Sequence, residues 1–88
     1  MKTLCRALLL AASVFELSAD DQMDPNMAVK ALEDITSILL KASSQEIQVL
    51  GEVATQMENE VRAIPGYERA ADYYGLFLEN CGLVEGAR

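Results

Sequence analysis

Apolar positions recur with a helical period in four segments of the chain, which polar or Pro/Gly stretches separate. Spacings of three and four residues place side chains on one face of an α-helix. No run of alternating residues and no Asn-Gly turn predicts a strand. The length and the helical pattern predict a single all-α domain over residues 1–88. Short connections between the segments favour antiparallel neighbours. Its predicted form is a small antiparallel bundle of four helices, at about 3–17, 25–42, 44–63 and 67–81, with an acidic loop at 18–24 and a polar tail at 82–88.

The first segment is apolar on most of its sides. Leu4, Leu8, Ala11 and Phe15 recur at helical spacing, with further apolar residues beside them. Its few polar residues, Ser13 among them, supply little polar surface. Such a helix is expected to be substantially buried.

The same segment also resembles a secretory signal peptide. A lysine precedes a short apolar run, and Ala19 is a small residue near a suitable cleavage point. Arg6, however, interrupts the front of the run, and Leu17 stands where a small residue is preferred. The apolar run is about half the ~20 residues that a membrane span needs. We therefore expect a first helix of the folded domain, with a cleaved leader over 1–19 as the alternative.

Helix ends are marked by capping residues. Asp24 precedes Pro25, the pattern of an N-cap followed by proline at the first helical position. Ser43 and Glu46 have the spacing of a capping box, which predicts the start of the third helix. Gly82 is the expected C-cap of the fourth.

The third segment has the narrowest apolar face. Its apolar residues follow strict heptad spacing, which is typical of a helix that packs along one partner. Gly51 lies within this helix, where it either lets another backbone come close or has no structural role. Two adjacent tyrosines in the fourth segment cannot both be buried on one face, so one is expected near the surface. The candidate interface residues are Ile47, Leu50, Ala54, Met57, Val61, Tyr73 and Tyr74.

Charge and composition remove several classes of function. Fourteen acidic side chains oppose seven basic ones, for a net charge of -7, and no Lys or Arg cluster suits a phosphate backbone. Histidine is absent, so the commonest general base and zinc ligand are missing. Cys5 and Cys81 fit no metal-binding spacing, and we expect free thiols in a cytosolic protein, with a pair as the alternative.

Two groups of carboxylates are candidates for chemistry. Asp20, Asp21 and Asp24 lack the spacing and the glycine of a calcium loop, so we expect a cap and its charged neighbours. Glu52, Glu58, Glu60, Glu68 and Asp72 are expected on solvated faces. No catalytic, cofactor-binding or metal-binding residue is predicted.

The favoured interpretation is a cytoplasmic, non-enzymatic protein-interaction module that self-associates, with a homodimer expected. No nucleic acid and no membrane span are expected. One alternative is an acidic inhibitor of the immunity or antitoxin type, since a net charge of -7 suits steering towards a basic protein. Another is a secreted or periplasmic protein whose leader is removed.

Overall fold

The computed structural model of the chain describes residues 1–18 and 21–84. Within them it is all-α, as predicted, and no strand occurs there. The predicted cleavage point at Ala19, the carboxylate of Asp20 and the last part of the polar tail, 85–88, lie outside the described residues. The helices are α1 (Lys2–Leu17), α2 (Pro25–Leu39), α3 (Ser44–Arg62), α4 (Glu68–Gly75) and α5 (Phe77–Asn80).

The predicted caps of α2 and α3 are confirmed. The backbone N–H of Asn26 donates to Oδ1 of Asp24 at 2.9 Å, and Pro25 is the first residue of α2. At α3 the N–H of Glu46 donates to Oγ of Ser43 at 3.1 Å, and the N–H of Ser43 donates to Oε1 of Glu46 at 2.8 Å. Both bonds satisfy backbone donors that a helix start leaves unpaired.

Two glycines with positive φ angles end the helices of the second half. Gly66, at φ 92°, follows Pro65 in the turn after α3, a sequence that suits a tight turn. Gly82, at φ 73°, follows the C-cap of α5, and the next N–H, that of Leu83, donates to the carbonyl of Leu78 at 2.9 Å. This bond is the one that a glycine-terminated helix end uses to satisfy its last carbonyls.

The predicted fourth helix is divided at Leu76 into α4 and α5. Gly75, a weak helix former, ends α4, and Leu76 has φ -105° and ψ 5°, outside helical values. A Cβ at Gly75 would lie 2.7 Å from the carboxylate of Glu58 on α3. The glycine thus leaves room for the Glu58 side chain beside the break, and α5 then buries Phe77 in the core.

The helices form two antiparallel hairpins. In the first hairpin, Leu4 near the start of α1 and Leu39 at the end of α2 line the same cleft. Phe15 near the end of α1 and Ala28 near the start of α2 line another, so the two helices run in opposite directions. In the second hairpin α3 pairs with α4 and α5: Arg62 contacts Asp72, and a Cβ at Gly51 would lie 2.9 Å from Cδ1 of Leu78. The atom nearest to Gly51 thus belongs to the end of a leucine side chain and not to a second backbone.

The core lies where α1 packs on α3 and α4. Leu9 on α1, Val53 on α3 and Phe77 on α5 are the largest fully buried side chains among the described residues. In contrast α2 supplies one buried residue, Ala28, and packs mainly on α1. The second helix is thus the least buried long element in the described part of the chain.

Candidate protein interface

The most prominent surface feature is an exposed apolar face on α1. It consists of Leu4, Ala7, Leu10, Ala11 and Val14, all exposed, and we call it the outer α1 face. Leu4 is 70%, Leu10 59% and Val14 48% exposed. The expectation that α1 is substantially buried is therefore wrong for half of its circumference, because the remaining helices cover one side of it.

The outer α1 face carries no charge. The charged residues of α1 are Lys2, Arg6 and Glu16. At 100° per residue none of them falls on the arc centred on Ala7 and Ala11. Large contiguous apolar patches are uncommon on monomeric proteins and usually mark sites of interaction.

A buried hydrogen-bond chain fixes the rotation of α1 about its axis. The hydroxyl of Tyr74 donates to Oγ of Ser13 at 3.1 Å, and Ser13 donates to the carbonyl of Leu10 at 2.7 Å. Ser13 and Tyr74 are both buried, so Ser13 adds no polar surface to α1. Because buried polar groups need partners, this chain favours one orientation of α1, with Leu9 inward and the outer α1 face outward.

An ion pair joins the edge of α1 to α3. Arg6 lies 2.5 Å from Glu60, and both side chains are about half exposed. The hydrogen bond from Arg6 lowers the pKa of Glu60, and the same contact raises the pKa of Arg6. The pair directs the charge of Arg6 towards α3 and away from the outer α1 face.

The interface residues predicted from the sequence lie mostly inside the chain. Leu50, Ala54, Met57 and Tyr74 are buried in the core. Ile47, Val61 and Tyr73 are partly buried, the last two packed against that core. The heptad face of α3 packs against α1 and α4 of the same chain, so its buried members are not available to a second chain. Sequence periodicity identified an interface between helices but did not distinguish an internal interface from an external one.

The two adjacent tyrosines divide as predicted. Tyr74 is buried and bonded to Ser13, while Tyr73 is partly exposed. The ring centroid of Tyr73 lies 5.7 Å from that of Phe77 in an edge-on arrangement. Its partial burial raises the pKa of its hydroxyl above the ordinary value.

A second set of exposed apolar side chains lies on α2 and at its C-cap, Leu40. Met27, Val29, Ile38 and Leu40 are each more than half exposed. Unlike the outer α1 face, these residues alternate with charged ones: Lys30 and Asp34 form an ion pair at 2.7 Å between them. The α2 surface is therefore mixed, and it lacks the continuous uncharged character of α1.

Some of the predicted carboxylates have structural partners. Asp24 is the N-cap of α2, and Arg62 contacts both Glu58 and Asp72, at 2.6 and 3.2 Å. Over residues 1–18 and 21–84, no group of three potential ligands is placed to hold a metal ion. Cys5 and Cys81 are free thiols, and Thr36 donates to Sγ of Cys81 at 3.6 Å.

In comparisons with known proteins, no family profile, curated protein or solved structure matches this chain. Within the described part of the chain, none of the helices has the length and hydrophobicity that crossing a membrane requires.

Proposed function

We propose that this protein is a non-enzymatic interaction module that self-associates through the outer α1 face. The observation that carries the proposal is the exposure of Leu4, Leu10 and Val14 on a helix face with no charge, along most of the length of α1. Burying apolar surface stabilises association by about 25 cal/mol per Å² before the costs of binding are counted. A second copy that presents the same face would remove this surface from water.

The size of the face indicates a reversible association. A helix of 16 residues is about 24 Å long. A contact made by one helix from each copy falls at the small end of the ~1,200–2,000 Å² that stable interfaces bury. We therefore expect a dissociation constant in the micromolar range, near -8 kcal/mol, rather than a permanent dimer.

A basic protein partner is the second candidate, and the net charge of -7 favours it. The effect of salt on binding distinguishes a second copy of the chain from a basic protein partner. Two copies of an acidic chain repel each other, so screening should strengthen an apolar dimer, whereas screening weakens the attraction between an acidic chain and a basic partner. A cytoplasmic location suits the free thiols of Cys5 and Cys81 and is part of the proposal.

Sedimentation equilibrium tests the proposal. Leu10→Glu places a charge on the outer α1 face, and Ile38→Glu places the same charge on an exposed apolar residue of α2 as a matched control. We expect a dimer for the native chain and for Ile38→Glu, and a monomer for Leu10→Glu. A native chain that stays monomeric at tens of micromolar would refute self-association. If Leu10→Glu and Ile38→Glu weaken the dimer equally, the assignment of the interface to the outer α1 face is refuted.

The alternative of a cleaved leader makes a different prediction. Removal of residues 1–19 would take away Leu9 and Ser13, and it would expose the surfaces of α3 and α4 on which α1 packs. Mass spectrometry of the protein from its native host distinguishes the two: the proposal requires that α1 is retained.

A further inference from the structure

We infer that α2 opens as a unit while α1 and α3 to α5 stay folded, and that this opening exposes the thiol of Cys5. The inference does not depend on self-association, because it concerns the attachment of α2 and not the outer α1 face. Three features of the structure support it: the shallow burial of α2, a core that contains no α2 residue, and a cleft that Cys5 shares with the end of α2.

The packing of α2 is the weakest among the three long helices. Ala28 is the one buried residue among its 15, whereas α1 and α3 each bury four. Leu32 and Leu39 reach the edge of the core but stay partly exposed. Within the described part of the chain, α2 packs extensively on α1 alone. Since an isolated helix of this length is marginal in water, α2 depends on that contact to stay helical.

The core is complete without α2. Every buried member of the core cluster belongs to α1, α3, α4 or α5. The hydrogen bond between Tyr74 and Ser13 joins α4 to α1, and the ion pair between Arg6 and Glu60 joins α1 to α3. Movement of α2 leaves all of these contacts in place. Elements held by few buried contacts open at a lower free energy than the core does, so α2 should open before the remaining helices separate.

The polar contact between α2 and the C-cap of α5 is weak. Oγ1 of Thr36 donates to Sγ of Cys81 at 3.6 Å, and a thiol sulfur is a weak acceptor. Lys30 and Asp34 pair within α2, so their ion pair does not attach it to another helix. The half-buried apolar side chains of α2 therefore supply most of its attachment.

A cleft beside the end of α2 reaches Cys5. Its volume is about 150 Å³, and its lining includes Cys5 and Leu8 of α1, Leu50 of α3, and Leu39 and Ala42 at and just after the end of α2. Cys5 is only 6% exposed, so its thiol is shielded while α2 is in place. When Leu39 moves away with α2, the cleft loses one of its walls and solvent reaches the thiol.

Alkylation of cysteines by iodoacetamide tests the inference. Ala71 is fully buried on α4, so the thiol introduced by Ala71→Cys reports opening of the core. Digestion and mass spectrometry of the labelled variant measure Cys5 and the introduced thiol in the same molecule, and circular dichroism checks its fold. We expect Cys5 to react at least about tenfold faster than the introduced thiol, at a rate that low concentrations of urea change little.

Two glycine variants locate the opening. Glu33→Gly lowers the helix propensity at an exposed position of α2, and Gln56→Gly makes a closely matched change at an exposed position of α3. Glu33→Gly should raise the labelling rate of Cys5 by about two- to fivefold, whereas Gln56→Gly should leave it unchanged. Equal acceleration by the two variants, or labelling of Cys5 no faster than that of the thiol at position 71, overturns the inference.

Amide hydrogen exchange of the native chain gives a second measurement without any substitution. The amides of Leu32 and Thr36 should exchange through an opening that depends little on urea. Those of Val53 and Met57 in α3 should exchange through unfolding that exposes far more surface and depends steeply on urea. If both helices exchange with the same free energy and the same urea dependence, the chain opens only as a whole and the inference is refuted. That result would leave self-association intact.

Discussion

The same substitution at two neighbouring leucines of α1 should change the stability of the monomer by very different amounts. Leu9 is fully buried in the core cluster, whereas Leu10 is 59% exposed on the outer α1 face. Leu9→Ala should destabilise the monomer by about 2–5 kcal/mol, the range for a leucine removed from a well-packed core. Leu10→Ala should change the stability of the monomer by no more than about 0.5 kcal/mol, as surface substitutions do.

The expected loss is large relative to the stability of so small a domain. A chain of 88 residues has a total of about 4–13 kcal/mol, at ~0.05–0.15 kcal/mol per residue. Each kcal/mol lowers the melting temperature of such a domain by about 4–8 °C. Leu9→Ala is therefore expected to lower it by about 10 °C or more, and partial unfolding at 37 °C is expected if the native stability lies at the lower end.

Urea unfolding followed by circular dichroism measures both effects. The protein is kept below the dissociation constant of the dimer, so that loss of self-association does not enter the result. The slope of the free energy of unfolding against urea should stay constant, since the same surface is exposed in each variant. A cost below about 1 kcal/mol for Leu9→Ala, or a cost for Leu10→Ala that exceeds the cost for Leu9→Ala, would contradict the orientation of α1.

Three further predictions follow from the contacts around α1, α3 and α4. Ser13→Ala should cost about 1–3 kcal/mol because it leaves a buried hydroxyl of Tyr74 unpaired, and the double variant with Tyr74→Phe should cost less than the sum of the two single changes in a double-mutant cycle. Burial keeps Tyr73 neutral, so its contribution to stability is complete below about pH 10 and is lost as the pH rises towards its raised pKa. Absorbance titration of the native chain should show a late-ionising tyrosine that Tyr73→Phe removes. Ser43→Ala removes the cap of α3 and should cost about 0.5–2 kcal/mol in urea unfolding, whereas no loss would contradict the capping box.

Local signals in the sequence predicted the helix ends well. Asp24, Ser43 and Glu46 act through neighbours within three residues, and such contacts depend little on the remaining fold. The same holds for Gly82, whose positive φ angle is a local requirement of the helix end. The break at Leu76 was not predicted, because a single glycine such as Gly75 is often tolerated within a helix and does not by itself indicate a break.

Burial was harder to predict than helix position. Both α1 and α3 have enough apolar residues to form an interface, and periodicity alone does not indicate which face meets which helix. The structure places the heptad face of α3 inside the chain and leaves Leu4, Leu10 and Val14 exposed. The hydroxyl of Tyr74 explains in part which face of α1 is buried and which is exposed. Its bond to Ser13 joins two residues distant in sequence and sets the orientation of α1.

The effect of salt on the oligomeric state tests the central claim most directly. Sedimentation equilibrium of the native chain at about 0.05 M and about 0.5 M sodium chloride compares conditions in which surface charges are weakly and strongly screened. Self-association through the uncharged outer α1 face predicts a dimer that is tighter at the higher salt concentration, and a monomer for Leu10→Glu at both. A native chain that remains monomeric at both salt concentrations, or a dimer that dissociates as salt is added, would contradict the account.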